Sequence, residues 1–237
     1  MRCLLCHEQM MVKPTWRRIF LQEEGELVCE RCESGFELLS GEQQCMSCAR
    51  VLEQKWRSQR DSELCLDCER WQQHPTASQL LKRNLSVYAY NERMKDCLSL
   101  YKFQGDAEIG RYFSMKMKQA YHSHFQAYSP VLMPLSEERL KARGFNQVKL
   151  MTSEWLAPVV ALGRTTGEQQ SKKNRSARIQ QVTHSPFFVE IGQNSIRALQ
   201  KIVLIDDVYT TGTTVRQAAQ TLIEHGATHV ESLTLCR

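Results

Sequence analysis

The chain has 237 residues, of which 42% are hydrophobic, 24% charged and 8% aromatic. Those values lie near the averages of folded globular proteins and exclude a disordered chain, a collagen-like repeat and an extended coiled coil. The net charge of +5 is unevenly spread: residues 1–85 hold 12 cations against 13 anions, and residues 86–237 hold 19 against 13. No apolar run reaches the roughly 20 residues of a bilayer-crossing helix. The start, Met1 to Val12, breaks its apolar residues with Cys6, His7 and Glu8 where a signal peptide would build a continuous core. The expectation is a cytoplasmic protein with no membrane insertion.

Eight of the ten cysteines form four Cys-x-x-Cys pairs: Cys3/Cys6, Cys29/Cys32, Cys45/Cys48 and Cys65/Cys68. Two thiolates three residues apart wrap a tight turn around one tetrahedral ion, and two such turns complete its ligands, so the pairs read as two structural zinc sites. A disulfide framework would need an oxidising compartment, and a thioredoxin-type redox centre uses one pair within a βαβ unit. Sequential pairing leaves spacers of 22 and 16 residues; a crossed pairing, first with third, stays open. His7 is a spare neighbour of Cys6, since the four pairs are complete without it. Residues 1–75 therefore read as a double zinc-ribbon domain. Metal supplies its stability, because about 70 residues with few aliphatic runs bury too little area to offset chain entropy.

Four-thiolate sites leave no open position for a substrate water, which argues against catalysis by this zinc. Eight thiolates around two divalent ions also add negative charge to a segment already acidic, so long-range attraction would not draw the head to phosphates. Trp16-Arg17-Arg18, Lys55-Trp56-Arg57 and Arg70-Trp71 set aromatic rings beside cations; core is preferred to base stacking for these tryptophans.

From residue 86 the pattern changes. In chain order it predicts a strand at Val87 to Tyr90, helices at 92–102 and 106–124, a strand at Val131 to Met133 and a helix at 146–161. A strand at Phe187 to Val189, a strand at Ile202 to Ile205 with a helix behind it, and a last strand at Val230 to Leu235 follow. This alternation predicts an α/β domain over residues 86–237, with a mostly parallel sheet and helices on both faces. Cys97 and Cys236, each alone among apolar neighbours, are expected in its core. Between Arg164 and Arg178 lie five cations, Arg164, Lys172, Lys173, Arg175 and Arg178, against the single anion Glu168. The segment has neither period and reads as a solvated loop, with Lys172, Lys173, Arg175 and Arg178 as candidate contacts to nucleic-acid phosphates.

The most informative stretch runs Ile202-Val203-Leu204-Ile205-Asp206-Asp207-Val208-Tyr209-Thr210-Thr211-Gly212-Thr213-Thr214. Four aliphatic residues form a strand buried on both faces, and the carboxylates at its end fall in the crevice where open α/β sheets bind ligands. Thr210, Thr211, Thr213 and Thr214 supply hydroxyls around Gly212, which allows close backbone approach, and Val215, Ala218, Ala219, Leu222 and Ile223 recur at helical spacing behind. The first N–H groups of that helix and its dipole face a phosphate, and Gly226 closes it. Two acids one step before a phosphate cradle fit the vicinal hydroxyls of a phosphorylated ribose. Adjacent acids after a strand also occur in nucleotide triphosphatases, but residues 105–112 lack the Lys and the Ser/Thr of a Walker loop. Farther upstream, Val131 to Leu135 runs into a basic loop with Arg139 and Arg143, and Asn146 caps the helix after it, an arrangement suited to a pyrophosphate.

The acid-and-threonine stretch resembles the fingerprint of type I phosphoribosyltransferases, which bind 5-phosphoribosyl 1-pyrophosphate with magnesium. With the four cysteine pairs, Tyr101-Lys102-Phe103-Gln104-Gly105-Asp106 and Arg143-Gly144-Phe145-Asn146-Gln147 in the same order, the whole chain resembles the ComF/ComFC family of competence proteins. That resemblance implies a double zinc ribbon fused to a phosphoribosyltransferase-like domain. It implies a role in natural transformation, bringing single-stranded DNA into the cytoplasm beside a ComFA-type helicase. It assigns Asp206 and Asp207 to ribose and metal, Thr210 to Thr214 to the phosphate, and Arg139 and Arg143 to the pyrophosphate. The basic stretch matches the family's flexible loop at Gln170 and Arg178 and departs from it at Lys173 and Gln181. Two functions follow: transfer of the phosphoribosyl group to an unnamed acceptor, or a DNA-uptake accessory whose pocket serves binding.

Overall fold

The computed structural model of the chain describes residues 1–10, 27–39, 43–60, 63–103, 108–159, 162–165, 185–190 and 199–237. The cysteine-rich part repeats one construction twice. Its first pair in each case sits on a tight turn in which the N–H of His7 or Ala49 bonds back to the carbonyl of Cys3 or Cys45, at 3.0 and 2.8 Å. His7 and Ala49 both take positive φ, 58° and 60°, to close it. The second pair in each case opens a helix, α1 (Glu30–Glu33) after Cys29 and α2 (Leu66–Gln72) after Cys65.

The body begins with β1 (Asn84–Tyr88), α3 (Glu92–Phe103), α4 (Glu108–His124) and β2 (Ser129–Leu132). Next come α5 (Glu137–Arg143), α6 (Gln147–Thr152) and the short strands β3 (Leu162–Arg164) and β4 (Phe187–Val189). It closes with β5 (Lys201–Val208), α7 (Thr213–Glu224) and β6 (His229–Cys236). β1, β6, β5 and β2 lie side by side in that order, all parallel, while β3 and β4 form a separate antiparallel pair.

β5 shows why helices cover both faces. Its residues Ile202 to Ile205 are fully buried, and successive strand side chains point to opposite sides. Ile202 and Leu204 pack with Val215, Ala218, Ala219 and Leu222 of α7, whereas Val203 and Ile205 pack with Tyr101, Phe113 and Met117 of α3 and α4. Each such side chain contributes roughly 2 kcal/mol by leaving water. The first of these cores also contains Cys45, Cys48, Leu52, Leu64, Cys65 and Cys68, so the second cysteine group packs into the same apolar mass as β5 and α7. Cys97 and Cys236 are buried, as their surroundings implied. Trp71 is fully buried, Trp56 is half-buried beneath the Arg50 guanidinium, and Trp16 lies outside the described residues. Among the described residues, no helix is long and apolar enough to cross a membrane.

β1 begins three residues before the strand expected at Val87 to Tyr90 and ends at Tyr88, β3 places Arg164 in a strand where a loop was expected, and two helical elements also differ from expectation. The helix placed at 146–161 stops at Thr152, and Pro158, whose ring disfavours helical geometry in the residue ahead of it, bars a continuous helix to 161. The basic loop after β2 is a helix, α5, with Ser136 accepting from the Arg139 N–H at its start and Gly144 in the left-handed region, φ 78°, at its end. It buries none of its residues, so it carries no apolar period to betray it, only its caps.

Candidate functional site

Cys3, Cys6, Cys29 and Cys32 form one group and Cys45, Cys48, Cys65 and Cys68 another, with the sulfurs of each within 4.8 Å of one another. The pairing is therefore sequential. Thiolates held about 2.3 Å from a tetrahedral ion lie close to 3.8 Å apart. Cys6 and Cys29 sulfurs are separated by 3.8 Å, and those of Cys48 and Cys65 by 3.6 Å. Backbone N–H groups point at the sulfurs as thiolate ligands require: Leu5 and Cys29 donate to Cys3 Sγ at 3.4 Å, and Cys65 donates to Cys45 Sγ at 3.3 Å. Both groups could hold a metal ion, and their all-sulfur donor set suits zinc.

At the carboxyl end of the sheet lies a cavity of about 600 Å³. β5 brings Asp206 and Asp207 to its floor. The turn after β5 brings Thr210 and Thr211, and the first turn of α7 brings Thr213 and Thr214. α5 adds Arg139 and Arg143, β3 adds Arg164, and the last turn of α3 adds Lys102. Gly212 stands at φ 79° between the threonines, where any side chain is strained and would strike the Tyr209 hydroxyl. The Thr211 and Thr213 hydroxyls bond each other at 2.9 Å beneath the rim, while Thr210 is exposed.

The acids are not equivalent. Burial, and then the neighbouring Asp207 carboxylate, pushes Asp206 up to about 7. Burial would raise Asp207 as well, but the Lys102 ammonium, 2.5 Å from Oδ2, outweighs it, and Arg143 adds to the effect, so Asp207 falls below its ordinary value. Burial lowers Arg143 and Arg164, which nonetheless stay charged at neutral pH. The cavity thus sets Lys102, Arg139, Arg143 and Arg164 against Glu138, Asp206 and Asp207, with Asp206 half protonated near pH 7. Its chemistry is that of a receptor for an anion carrying hydroxyl groups.

The structure brings every described residue of the expected pocket to one place: Arg139, Arg143, Asp206, Asp207 and the turn from Thr210 to Thr214. Lys172, Lys173, Arg175 and Arg178 lie outside the described residues. Sequence reading gave Lys102 no role of its own. Its signal was a lysine on the closing turn of a helix anchored by buried Tyr101, whose hydroxyl donates to the Gln147 carbonyl at 2.7 Å. The residues behind the turn, Trp71, Arg216 and Arg237, were also missed as neighbours of the site, because they are far from it in sequence.

A phosphoribosyl transferase domain matches residues 161–237, the stretch from β3 to β6. Competence protein ComFC of Bacillus subtilis strain 168 is 38% identical over 239 aligned positions, covering 99% of this chain and 94% of that protein. Competence protein ComFC of Streptococcus pneumoniae is 32% identical, with full coverage of both. The chain belongs to the ComFC family of competence proteins. A more distant match, DNA utilization protein YhgH of Escherichia coli K12, is 33% identical over 116 positions, or 45% of this ComFC-family chain and 48% of YhgH. The phosphoribosyltransferase-type sheet of this ComFC-family chain supports the cavity, and the second cysteine group packs into the same core as β5 and α7.

Proposed function

We propose that this ComFC-family protein assists the uptake of single-stranded DNA into the cytoplasm during natural transformation, together with a ComFA-type helicase. In this reading its cavity binds a phosphorylated ribose of the phosphoribosyl pyrophosphate class. The division of labour follows the sequence: a zinc-bearing head over residues 1–75 that docks the helicase, and a body over residues 86–237 that carries the pocket. Lys172, Lys173, Arg175 and Arg178 hold the phosphates of the strand. The observation that carries the pocket reading is the meeting of an acid pair, a threonine turn at a helix N-terminus and three arginines around one cavity. The 5′-phosphate takes the N-terminus of α7, the ribose hydroxyls donate to Asp206 and Asp207, and the pyrophosphate faces Arg139 and Arg143.

The acid pair is a poor fit to a magnesium ion held by the protein. Lys102 already occupies an oxygen of Asp207, and the raised pKa of Asp206 withdraws the second charge. It fits hydroxyl donors better. The alternative, a phosphoribosyltransferase acting on an unidentified acceptor, draws support from the domain match over residues 161–237. Its leaving pyrophosphate would be stabilised by the same arginines.

The two are separated by one double substitution, Asp206→Asn with Asp207→Asn. Calorimetric titration with phosphoribosyl pyrophosphate should show binding by the parent, with and without magnesium, and its loss in the variant, alongside a fall in transformation frequency. Survival of transformation in a variant that has lost binding would remove the pocket from the biological role. Affinity for single-stranded DNA should fall steeply as salt rises and fall further when Lys172, Lys173, Arg175 and Arg178 become Ala.

A further inference from the structure

The back of the phosphate turn is fastened to the second cysteine group. Trp71 stands three residues after Cys68 on α2, and its indole N–H donates to the Thr211 carbonyl at 2.7 Å. Arg237 donates from Nε to Cys48 Sγ at 3.3 Å, and from Nη1 to the carbonyls of Tyr209, at 3.2 Å, and Thr210. Arg216, in α7, lies over the Trp71 ring, 4.4 Å from its centroid, and donates to the Tyr209 hydroxyl at 2.7 Å. Three successive carbonyls of the turn are therefore held by side chains on its far side from the cavity. In a planar trans peptide the carbonyl and the following N–H point in opposite directions. Anchoring the carbonyls of Tyr209, Thr210 and Thr211 therefore turns the N–H groups of Thr210, Thr211 and Gly212 the other way, toward the cavity lined by the threonines.

We propose that the second cysteine group is the buttress of the phosphate turn, with Trp71 and Arg237 as positioning residues that transmit its rigidity to the backbone donors facing the ligand. The inference rests on the reading of that turn as an anion receptor. A turn free to rotate its peptides would have to be ordered by each arriving anion, and the ordering would be subtracted from affinity. The four-cysteine site removes that step by fixing the turn in advance. The first cysteine group, whose core meets the body at Tyr112 of α4, has no part in this.

The test uses the full-length, metal-loaded chain and inorganic pyrophosphate as probe. Trp71→Phe keeps an aromatic ring beneath Arg216 and removes the indole donor together with part of a buried ring. It is expected to weaken pyrophosphate binding by about tenfold. It should also speed hydrogen exchange of the Tyr209–Thr214 amides while leaving the α4 amides unchanged. Arg237→Lys, which keeps the charge but cannot reach both carbonyls and the sulfur, should do the same and serves if Trp71→Phe misfolds. Cys6→Ser, which disables only the first group, should leave both readouts as in the parent. Parent-like affinity and exchange in Trp71→Phe and Arg237→Lys would overturn the buttress. A parent that does not bind pyrophosphate would instead overturn the anion-receptor reading, and the exchange rates alone would then decide the buttress.

Discussion

The two cysteine groups are alike in construction and unlike in surroundings. Each joins a tight turn with a left-handed fifth residue to the start of a short helix. In the first group Cys6 and Cys29 are half-buried, and its nearby ion pair, Arg31 with Glu8, is open to solvent. Its links to the body are Phe36, just past α1, which packs against Tyr88, Tyr112 and Phe113, and backbone bonds from Leu39 to Val87 and from Ala89 to Glu37. In the second group all four cysteines are buried, its ion pair Arg50 with Asp67 is buried at 2.9 Å, and its core is continuous with β5 and α7. The same ligand pattern therefore makes an appended module in one place and part of the active fold's foundation in the other. Surroundings, not ligands, decide which.

The largest expected contrast comes from the ligands themselves. Structural zinc is worth on the order of 10 kcal/mol, and a protein of this kind has a total stability of about 5–15 kcal/mol. Cys48→Ser or Cys65→Ser should therefore yield little folded protein. Cys6→Ser should fold, retain one equivalent of metal by elemental analysis, and keep the melting transition of the body. Equal losses in the two groups would break the comparison. Next come the ion pairs: Asp67→Asn leaves the buried Arg50 short of its partner and should cost roughly 3 kcal/mol in denaturant unfolding. Glu8→Gln, at a solvated pair, should leave the midpoint unmoved.

A third expectation concerns the acid pair and has a definite sign. Because Asp206 titrates near 7 in the folded chain and near 3.8 unfolded, the folded state holds the extra proton between those values. Its contribution to stability is therefore lost as pH rises through that window. Asp206→Asn, which cannot ionise, should gain on the parent as pH rises, by roughly 2 kcal/mol between pH 5 and pH 8. A constant difference across that range would place Asp206 outside the buried pocket. The smallest effect belongs to α5: Ser136→Ala removes a cap with a long 3.4 Å hydrogen bond and should cost about 0.5 kcal/mol. Anion affinity should drop only slightly with it, through Arg139 and Arg143.

What could be read in advance followed from local rules. The cysteine pairs announce themselves by spacing, β5 by its four aliphatic residues, and the phosphate turn by acids and threonines in register. The Asn146 cap accepts from Val148 and Lys149, as its position implied. What escaped was either unmarked by burial or joined across the chain. α5 hides because it contributes nothing to the core, and β3 is only three residues long, although β4, equally short, was legible at Phe187 to Val189. Lys102 meets Asp207 across 105 positions, and Trp71 meets Thr211 across 140. No periodicity encodes such pairs; only the packing of α3 and α2 against the sheet brings them together.

The account stands most directly on where a phosphorylated pentose sits. A crystal structure of the protein grown with phosphoribosyl pyrophosphate should place the 5′-phosphate on the N–H groups opening α7 and the ribose hydroxyls within hydrogen-bond reach of Asp206 and Asp207. Density for the compound elsewhere on the chain, with the turn from Thr210 to Thr214 empty at saturating concentration, would contradict it.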